Sequence, residues 1–416
     1  MFCITLNFRV NMDQRNSSRR DFRVMQAIYF LPTPTRNEIA RFTGRSPVSV
    51  TETLKRLMEA GLVEKAGKTR SRSGRPSMTY QLGEKTGCSV GVSLDPSGFR
   101  VVALDSRHAV VQEVEKTLTL SANPVSHLEE IMEQLTGQLR RFLAAMELKH
   151  QRTLSIGIAP PGMVDTEKGV WLHGLQVSGI AHVSLGATLQ KMFSAPVVVE
   201  DTARCLAFLE ASRRTPELAR DLVYLYLASG VGAGIMINGE PYHGGHGMAG
   251  EVGHLAVEEE GARCSCGNIG CLETVISGAS ILQRFRRRLD EGVISSLQEH
   301  RGGLTLEVIR QAAEAGDRLA ASTLFELGTL LGDAVSKIIK LYNPRTLVIG
   351  GPVAVLAEHL RESMWLKVRQ KVIPEMLVNL ALQVAPSQPR DEAIGAAYLA
   401  ERKFWKEGDE RSLAAS

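Results

Sequence analysis

No apolar run in this chain is long enough to cross a bilayer, which sets aside an integral helical membrane protein. Cysteine is scarce, six in 416 residues, and Cys3, Cys88 and Cys205 are too scattered to propose a disulfide framework. The apolar opening Met1-Phe-Cys-Ile-Thr-Leu-Asn-Phe lacks the basic stretch and small-residue cleavage site of a secretion signal, and Met12 offers a second start. The expected location is cytoplasmic, with no membrane partner. Apolar residues are not lacking: they make up 44% of the chain, and the mean hydropathy of -0.05 is that of a soluble globular protein. At 416 residues the chain exceeds one ordinary core, so two or three domains are expected.

The net charge of +4 hides an uneven distribution. Residues 1–83 hold 15 Lys and Arg against 6 Asp and Glu, whereas residues 84–416 hold 34 against 39. A basic head on an acidic body points the head at a polyanion, with nucleic acid first in line. The pattern within the head agrees. Val24, Met25, Ile28 and Leu31 share one face of a helix that begins at Phe22 and stops before Pro32 and Pro34. Thr35 and Glu38 form a capping box for a second helix through Ile39, Ala40 and Phe42. Ser46 and Pro47 open a third, which runs to about Ala60 with Gly61 as its stop and buries Val50, Leu54, Leu57 and Met58.

A strand from Leu62, a hairpin tip and a return strand to Leu82 complete a winged helix-turn-helix over residues 15–83. Ser46, Ser49, Thr51, Thr53, Lys55 and Arg56 are the expected DNA-facing residues of the third helix. Arg70, Arg72 and Arg75 on the tip suit phosphates or a narrow minor groove of a double-stranded operator. The competing reading is a dimerisation module of the same shape.

The most specific run lies further on: Glu251-Val-Gly-His254, then Cys264-Ser-Cys266-Gly-Asn-Ile-Gly-Cys271-Leu-Glu273. One imidazole and three thiols are a complete tetrahedral set for zinc, with no open position for water, so a structural Zn2+ is expected on His254, Cys264, Cys266 and Cys271. The competing reading is a disulfide beside a chance histidine. Glu251 and Glu273 become the binding groups that the loop holds in place.

This run resembles the signature of the ROK family, which gathers sugar-dependent repressors, sugar kinases and related reading frames. The similarity extends from about Arg15 to Glu401, and family repressors begin with such a head, including the Gly-Arg-Pro at its tip. From Gly87 onward the pattern alternates strands and helices, an α/β body. The resemblance implies an actin-like, ribonuclease-H-like pair of lobes with ligand between them: residues 84–200 with a closing helix at 391–405, and residues 201–390 with the metal loop and the oligomer surface.

Several motifs of the body match family positions. Pro160-Pro161-Gly162-Met-Val-Asp165 resembles a loop at the sugar site. Glu200 and Asp201 end a strand; in family kinases the second is the base and the first is usually Asn. With Glu251, His254 and Glu273 they form the expected sugar clamp, since each carboxylate accepts several hydroxyl donors. Ser229-Gly230-Val-Gly232-Ala-Gly234 resembles a second phosphate loop but also fits a tight strand-to-strand turn. Leu347-Val-Ile-Gly350-Gly351-Pro352 matches an adenosine-contact turn.

Family kinases carry Asp-x-Gly-Gly-Thr at the first β-turn. Here the matching run is Ser93-Leu94-Asp95-Pro96-Ser97. Proline removes a donor and aspartate repels a triphosphate, so a non-enzymatic chain is expected. The resemblance then implies a sugar-responsive repressor acting as a homodimer or homotetramer, since paired half-sites need at least a dimer. The alternatives are an ATP-dependent sugar kinase with a DNA-binding head, or a regulator whose effector is a phosphotransferase-system protein. Glu200, and Leu175-Gln-Val-Ser-Gly-Ile180 in place of the usual loop, depart from the common glucose pattern.

Overall fold

The computed structural model describes residues 12–69, 76–95, 97–121, 126–149, 151–174, 180–385 and 388–408. The head comprises α1 (Met12–Phe30), α2 (Arg36–Thr43), α3 (Pro47–Glu59) and an antiparallel hairpin of β1 (Val63–Thr69) with β2 (Ser77–Leu82). Local chemistry sets these boundaries. Thr35 N donates to the Glu38 carboxylate at 3.0 Å while Glu38 N donates back to Thr35 Oγ1 at 3.4 Å, the reciprocal box expected from the sequence. Ser46 Oγ accepts from Ser49 N at 3.2 Å to start α3. Gly44 and Gly61, at φ +67° and +75°, turn the chain out of α2 and α3. Helix α1 begins ten residues before the expected Phe22, at Met12.

Two five-stranded sheets form the body. The first contains β3 (Cys88–Asp95), β4 (Gly98–Leu104), β5 (Val110–Thr117), β6 (Thr153–Ala159) and β10 (Val197–Val199), in the order β10-β6-β3-β4-β5. Helix α4 (His127–Glu147) packs Ile131, Leu135 and Leu139 against it. A small sheet of β7 (Met163–Asp165), β8 (Val170–His173) and β9 (Ala181–Val183), followed by α5 (Leu185–Gln190), connects β6 to β10.

The second sheet, in the order β13-β12-β11-β14-β15, contains β11 (Leu222–Leu227), β12 (Val231–Ile237), β13 (Glu240–Pro241), β14 (Thr346–Gly350) and β15 (Ala381–Ala385). Each sheet is an antiparallel meander of three strands extended by two parallel ones, so one topology occurs twice. Helices α6 (Thr202–Ser212) and α7 (Pro216–Ala219) precede the second sheet. Helices α8 (Glu273–Ile276), α9 (Gly278–Asp290), α10 (Leu306–Glu314), α11 (Arg318–Tyr342) and α12 (Ala357–Lys371) lie between or after its strands, and α13 (Asp391–Glu407) closes the chain.

Helices α6 and α13 lie between the two sheets at backbone contact. A Cβ on Gly91 or Gly157 of the first sheet would lie 1.8 Å from Ala393 O or 1.9 Å from Ala396 O of α13. One on Gly395 of α13 would lie 2.3 Å from Cys205 O of α6, and one on Gly234 of the second sheet 2.1 Å from Ala203 O of α6. The layers thus run sheet, α13, α6, sheet. Strand β3, covered on both faces, is apolar apart from two buried serines as far as Leu94 and ends in the exposed Asp95, whereas edge strand β5 mixes valines with charged residues.

The far end of α13 holds the head. Phe22 of α1 stacks on Trp405 with ring centroids 5.5 Å apart and meets the edge of Phe404 at 5.9 Å. Tyr29 also stacks on Trp405, at 5.8 Å. Gln26 Nε2 donates to Trp405 O at 2.5 Å, while the buried indole N–H of Trp405 has no partner among the described residues.

Gly91→Ala should lower stability by about 3 kcal/mol, because the added methyl meets helix backbone that cannot yield. Gly137→Ala, on α4 with open space around it, should raise stability by up to about 1 kcal/mol through helix propensity alone. Thermal melts of the two variants are expected to shift in opposite directions.

Candidate interlobe cleft and metal cluster

Between the sheets lies a cleft of about 500 Å3. Three elements supply its carboxylates. Asp201 caps α6, its Oδ1 accepting from Arg204 N at 3.0 Å. Glu273 begins α8, and its Oε2 accepts from Val231 N at 3.1 Å. Glu251 precedes a short 3-10 turn, Val252–His254. The loop bearing Glu251 is pressed onto β12: a Cβ on Gly250 would lie 1.9 Å from Ala233 O, and one on Gly253 2.1 Å from Val231 O. Burial pushes the Asp201 carboxyl up, with Arg204 opposing. Burial also pushes Glu251 up, and the charge of Asp201 adds to it. Crowded, partly desolvated carboxyls favour a ligand that brings hydroxyl donors.

His254 joins this cleft to the cysteine loop. Its Nε2 lies 3.7 Å from Glu251 Oε2 and its Nδ1 3.6 Å from Cys264 Sγ. The potential ligand atoms of His254, Cys264, Cys266 and Cys271 all lie within 4.8 Å of one another. Cys266 Sγ and Cys271 Sγ are 3.7 Å apart. A disulfide would hold sulfurs at about 2.05 Å, whereas ligand bonds of about 2.3 Å give tetrahedral edges of about 3.8 Å. The described cysteines are all free thiols, so the disulfide alternative falls.

Gly267 and Gly270, at φ +93° and +67°, turn the loop back onto itself. Backbone N–H bonding from Asn268 holds the Cys266 thiol below its ordinary value. Burial and neighbouring thiols push Cys271 up to about 12. Three adjacent thiols cannot all ionise without a cation, and the donor set fits a soft divalent metal.

Glu200 is a correction. It is not in the cleft with Asp201 but 3% exposed on the other side of the strand end. Its Oε1 accepts from Arg204 Nε at 2.7 Å, Thr166 Oγ1 at 2.8 Å and Asp201 N at 2.8 Å, and its Oε2 faces His243 Nε2 at 2.8 Å. Burial alone would raise its pKa, but the His243 hydrogen bond and the Arg204 cation outweigh it and hold the carboxyl at about 2. This saturated carboxylate fixes Arg204, which reaches the carbonyls of Gly247 and Ala249 at 2.9 Å and so braces the loop leading to Glu251. The four-residue spacing from Glu200 to Arg204 was open to reading as a helical ion pair; nothing local announces Thr166 or His243.

At the other end of the cleft, Asp95 Oδ1 accepts from Ser97 N at 2.7 Å and Gly98 N at 3.1 Å. Both of these turn amides are thus bonded to the Asp95 carboxylate. Glu392 faces the same end, accepts from Tyr226 Oη at 2.6 Å, and is pushed up to about 7 by burial against Asp95. The run Ser229–Gly234 forms the tight connection from β11 into β12, with Ala228 N donating to Gly230 O at 3.0 Å. Pro352 lines the cleft; Pro96 and residues 175–179 lie outside the described residues.

On α3, Ser46 caps the helix, Ser49 is half-buried, and Thr51 and Lys55 are exposed. Thr53 is a second correction: it is 3% exposed, within the stripe of Val50, Leu54 and Leu57. Met58, expected in that stripe, is only half-buried. Arg56 is exposed but paired with Asp21 of α1. Arg70, Arg72 and Arg75 lie outside the described residues.

Two like-built sheets flank a cleft, His254 lines it, and three cysteines cluster with that histidine; the model of the ROK family matches residues 92–403, and the chain belongs to that family. Over 368 residues it is 28% identical to the transcriptional dual regulator NagC of Escherichia coli, covering 88% of each chain. Over 371 residues it is 26% identical to the transcriptional repressor Mlc of the same species, covering 89% of this chain and 90% of Mlc. A xylose repressor of Caldicellulosiruptor bescii is 25% identical over 363 residues, 87% of this chain and 90% of that repressor. The fold matches the crystal structure of a ROK family transcriptional regulator with a TM-score of 0.80 at 24% identity, covering 97% of this chain and all of that one. A ROK hexokinase of Thermus thermophilus matches at 0.63 with 22% identity, covering 77% of this chain and 99% of the hexokinase.

Glu200→Ala would leave Arg204 buried without its partner and should cost about 3–5 kcal/mol in thermal melts. Because the Glu200 pKa is depressed, its contribution should be present above its unfolded pKa near 4.5 and be lost as the pH falls toward 2. A wild-type melt insensitive to acid across this window, with a silent Glu200→Ala, would contradict the network.

Proposed function

We propose that this chain is a transcriptional repressor of carbohydrate-utilisation genes, released from its operator by a sugar or sugar derivative in the interlobe cleft. The observation that carries this reading is the course of α13. Its first turn, at Glu392, lines the cleft, and its last turns, at Phe404 and Trp405, grip α1 of the head. The head acts as a winged helix-turn-helix on double-stranded DNA, with α3 in the major groove. Ser46, Ser49, Thr51 and Lys55 remain its candidate contacts, joined by Arg56 and by Arg70, Arg72 and Arg75. Paired half-sites require a homodimer or homotetramer.

In the cleft, Asp201, Glu251 and Glu273 accept sugar hydroxyls and the Nε2 side of His254 faces the same ligand. His254 Nδ1, Cys264, Cys266 and Cys271 hold a structural Zn2+, whose charge keeps the thiolates ionised and fixes the loop between Glu251 and Glu273. Closure of the lobes on the sugar moves α13 and with it the head. The chain is not a kinase on this reading, because Asp95 occupies the turn amides and Glu392 adds a second acid where a triphosphate would lie.

Purified without chelator, the protein should carry one equivalent of Zn2+ by plasma mass spectrometry. Cys271→Ser should lose most of it and lower the melting temperature; metal-free protein with an unchanged melt would refute the assignment. Fluorescence anisotropy at fixed salt, on duplex DNA from upstream of the gene, should show binding relieved by one member of a panel of free and phosphorylated sugars. Asp201→Ala should bind that DNA equally well but require at least about tenfold more sugar for release, as expected when a charged hydrogen-bond acceptor is lost. An unchanged sugar response would overturn the cleft assignment. Steady ATP consumption with a hexose would restore the kinase reading.

A further inference from the structure

Helix α3 has a buried face defined by Val50, Thr53, Leu54 and Leu57. At 3.6 residues per turn, the positions most nearly opposite are Val48, Glu52, Lys55 and Glu59. Two of these do not suit a surface that only grips phosphates. Val48, in the first turn, is 69% exposed, and it is the only large apolar side chain of α3 so exposed. Glu52, one turn on, is exposed and forms no ion pair with a described residue, although cations stand on both sides: Lys55 pairs with Glu59 at 3.9 Å and Arg56 with Asp21. A bare carboxylate at the centre of a face that meets a polyanion is repelled by every phosphate. It is tolerated only where a base edge offers a hydrogen-bond donor.

In the major groove the exocyclic amines of cytosine and adenine are such donors, but the adenine amine stands beside the N7 acceptor of the same base, which repels a carboxylate. Cytosine presents its 4-amino group without that neighbour. The branched, uncharged side chain of Val48 matches the one apolar feature of the groove, the thymine 5-methyl group. Four residues of helix separate the two side chains by about 6 Å along the axis, so they reach base pairs within about two steps of each other at 3.4 Å per step.

We propose that Val48 and Glu52 are the base-reading residues of the head. Val48 seats against a thymine methyl and Glu52 accepts from a cytosine 4-amino group, so that each half-site carries T and C within two base steps. This assignment rests on the DNA-binding reading above and narrows it: the hydroxyl and cationic residues of the head position it on the backbone, while an apolar and an acidic residue supply sequence preference.

The test uses the full chain and a duplex library randomised across its central positions, selected at fixed salt and sequenced. Wild-type protein should enrich T and C at neighbouring positions. Glu52→Ala should lose the preference for C by about tenfold. Replacing the selected thymine by uracil, which removes only the methyl, should weaken wild-type binding about fourfold and leave Val48→Ala indifferent. Glu59→Ala, on the same face but at the far end of the helix, should select the wild-type motif. Val48 and Glu52 are both exposed, so the melting temperatures of their variants should match wild type. A motif unchanged in both variants, or equal binding of uracil and thymine duplexes, would overturn the assignment and leave DNA binding standing. Failure of the wild type to enrich any motif would remove both.

Discussion

The backbone of α13 lies against the backbone of one sheet on one side and of α6 on the other, and that contact organises the body. Side chains normally keep helices and sheets about 10 Å apart. Here Gly91 and Gly157 on the first sheet, Gly395 on α13 and Gly234 on the second sheet remove the Cβ atoms that would hold the layers away. Two sheets of identical topology are thus joined through two helices in direct contact. The cleft lies where the sheets diverge, and Asp201 at the N-terminus of α6 and Glu392 in the first turn of α13 open into it. Helix α13 therefore borders the cleft at Glu392 and seats the head at Phe404 and Trp405.

Within the cleft, position and charge depend on partners outside it. Glu200 never touches the cavity, yet through Arg204 it fixes the carbonyls of Gly247 and Ala249 and so the approach to Glu251. The cysteine loop does the same from the other side, with His254 presenting one nitrogen to the thiols and the other to Glu251. The cleft acids are therefore braced by two networks, one ionic and one a His/Cys3 cluster whose donor set fits a metal.

What was legible in the sequence was local. The capping pair Thr35 and Glu38 and Ser46 before Pro47 each determine structure within a few residues and stand as read, and the cysteine spacing does bring its three thiols together with His254. What failed depended on direction. Glu200 and Asp201 are adjacent at a strand end, and neighbours there face opposite ways; which of them meets the cleft follows from the position of the second sheet, which neither residue encodes. Thr53 reads as polar, but its methyl completes a stripe spaced three and four residues from Val50 and Leu57, and the periodicity outweighs the hydroxyl. The early start of α1 was hidden because Asn16, Ser17 and Ser18 have the composition of a turn.

The joint between head and body contains a deficit. Trp405 stacks with both Phe22 and Tyr29, but its indole N–H is buried with nothing to bond among the described residues. Such a group forfeits about 1–3 kcal/mol, the same size as the coupling energies that link distant binding sites in proteins. An aromatic clasp built to full strength would hold the head in one pose whatever the cleft contained. If the head changes pose with the state of the cleft, as proposed, a clasp weakened by this amount is one that a small molecule's unequal preference for two lobe positions would be large enough to match.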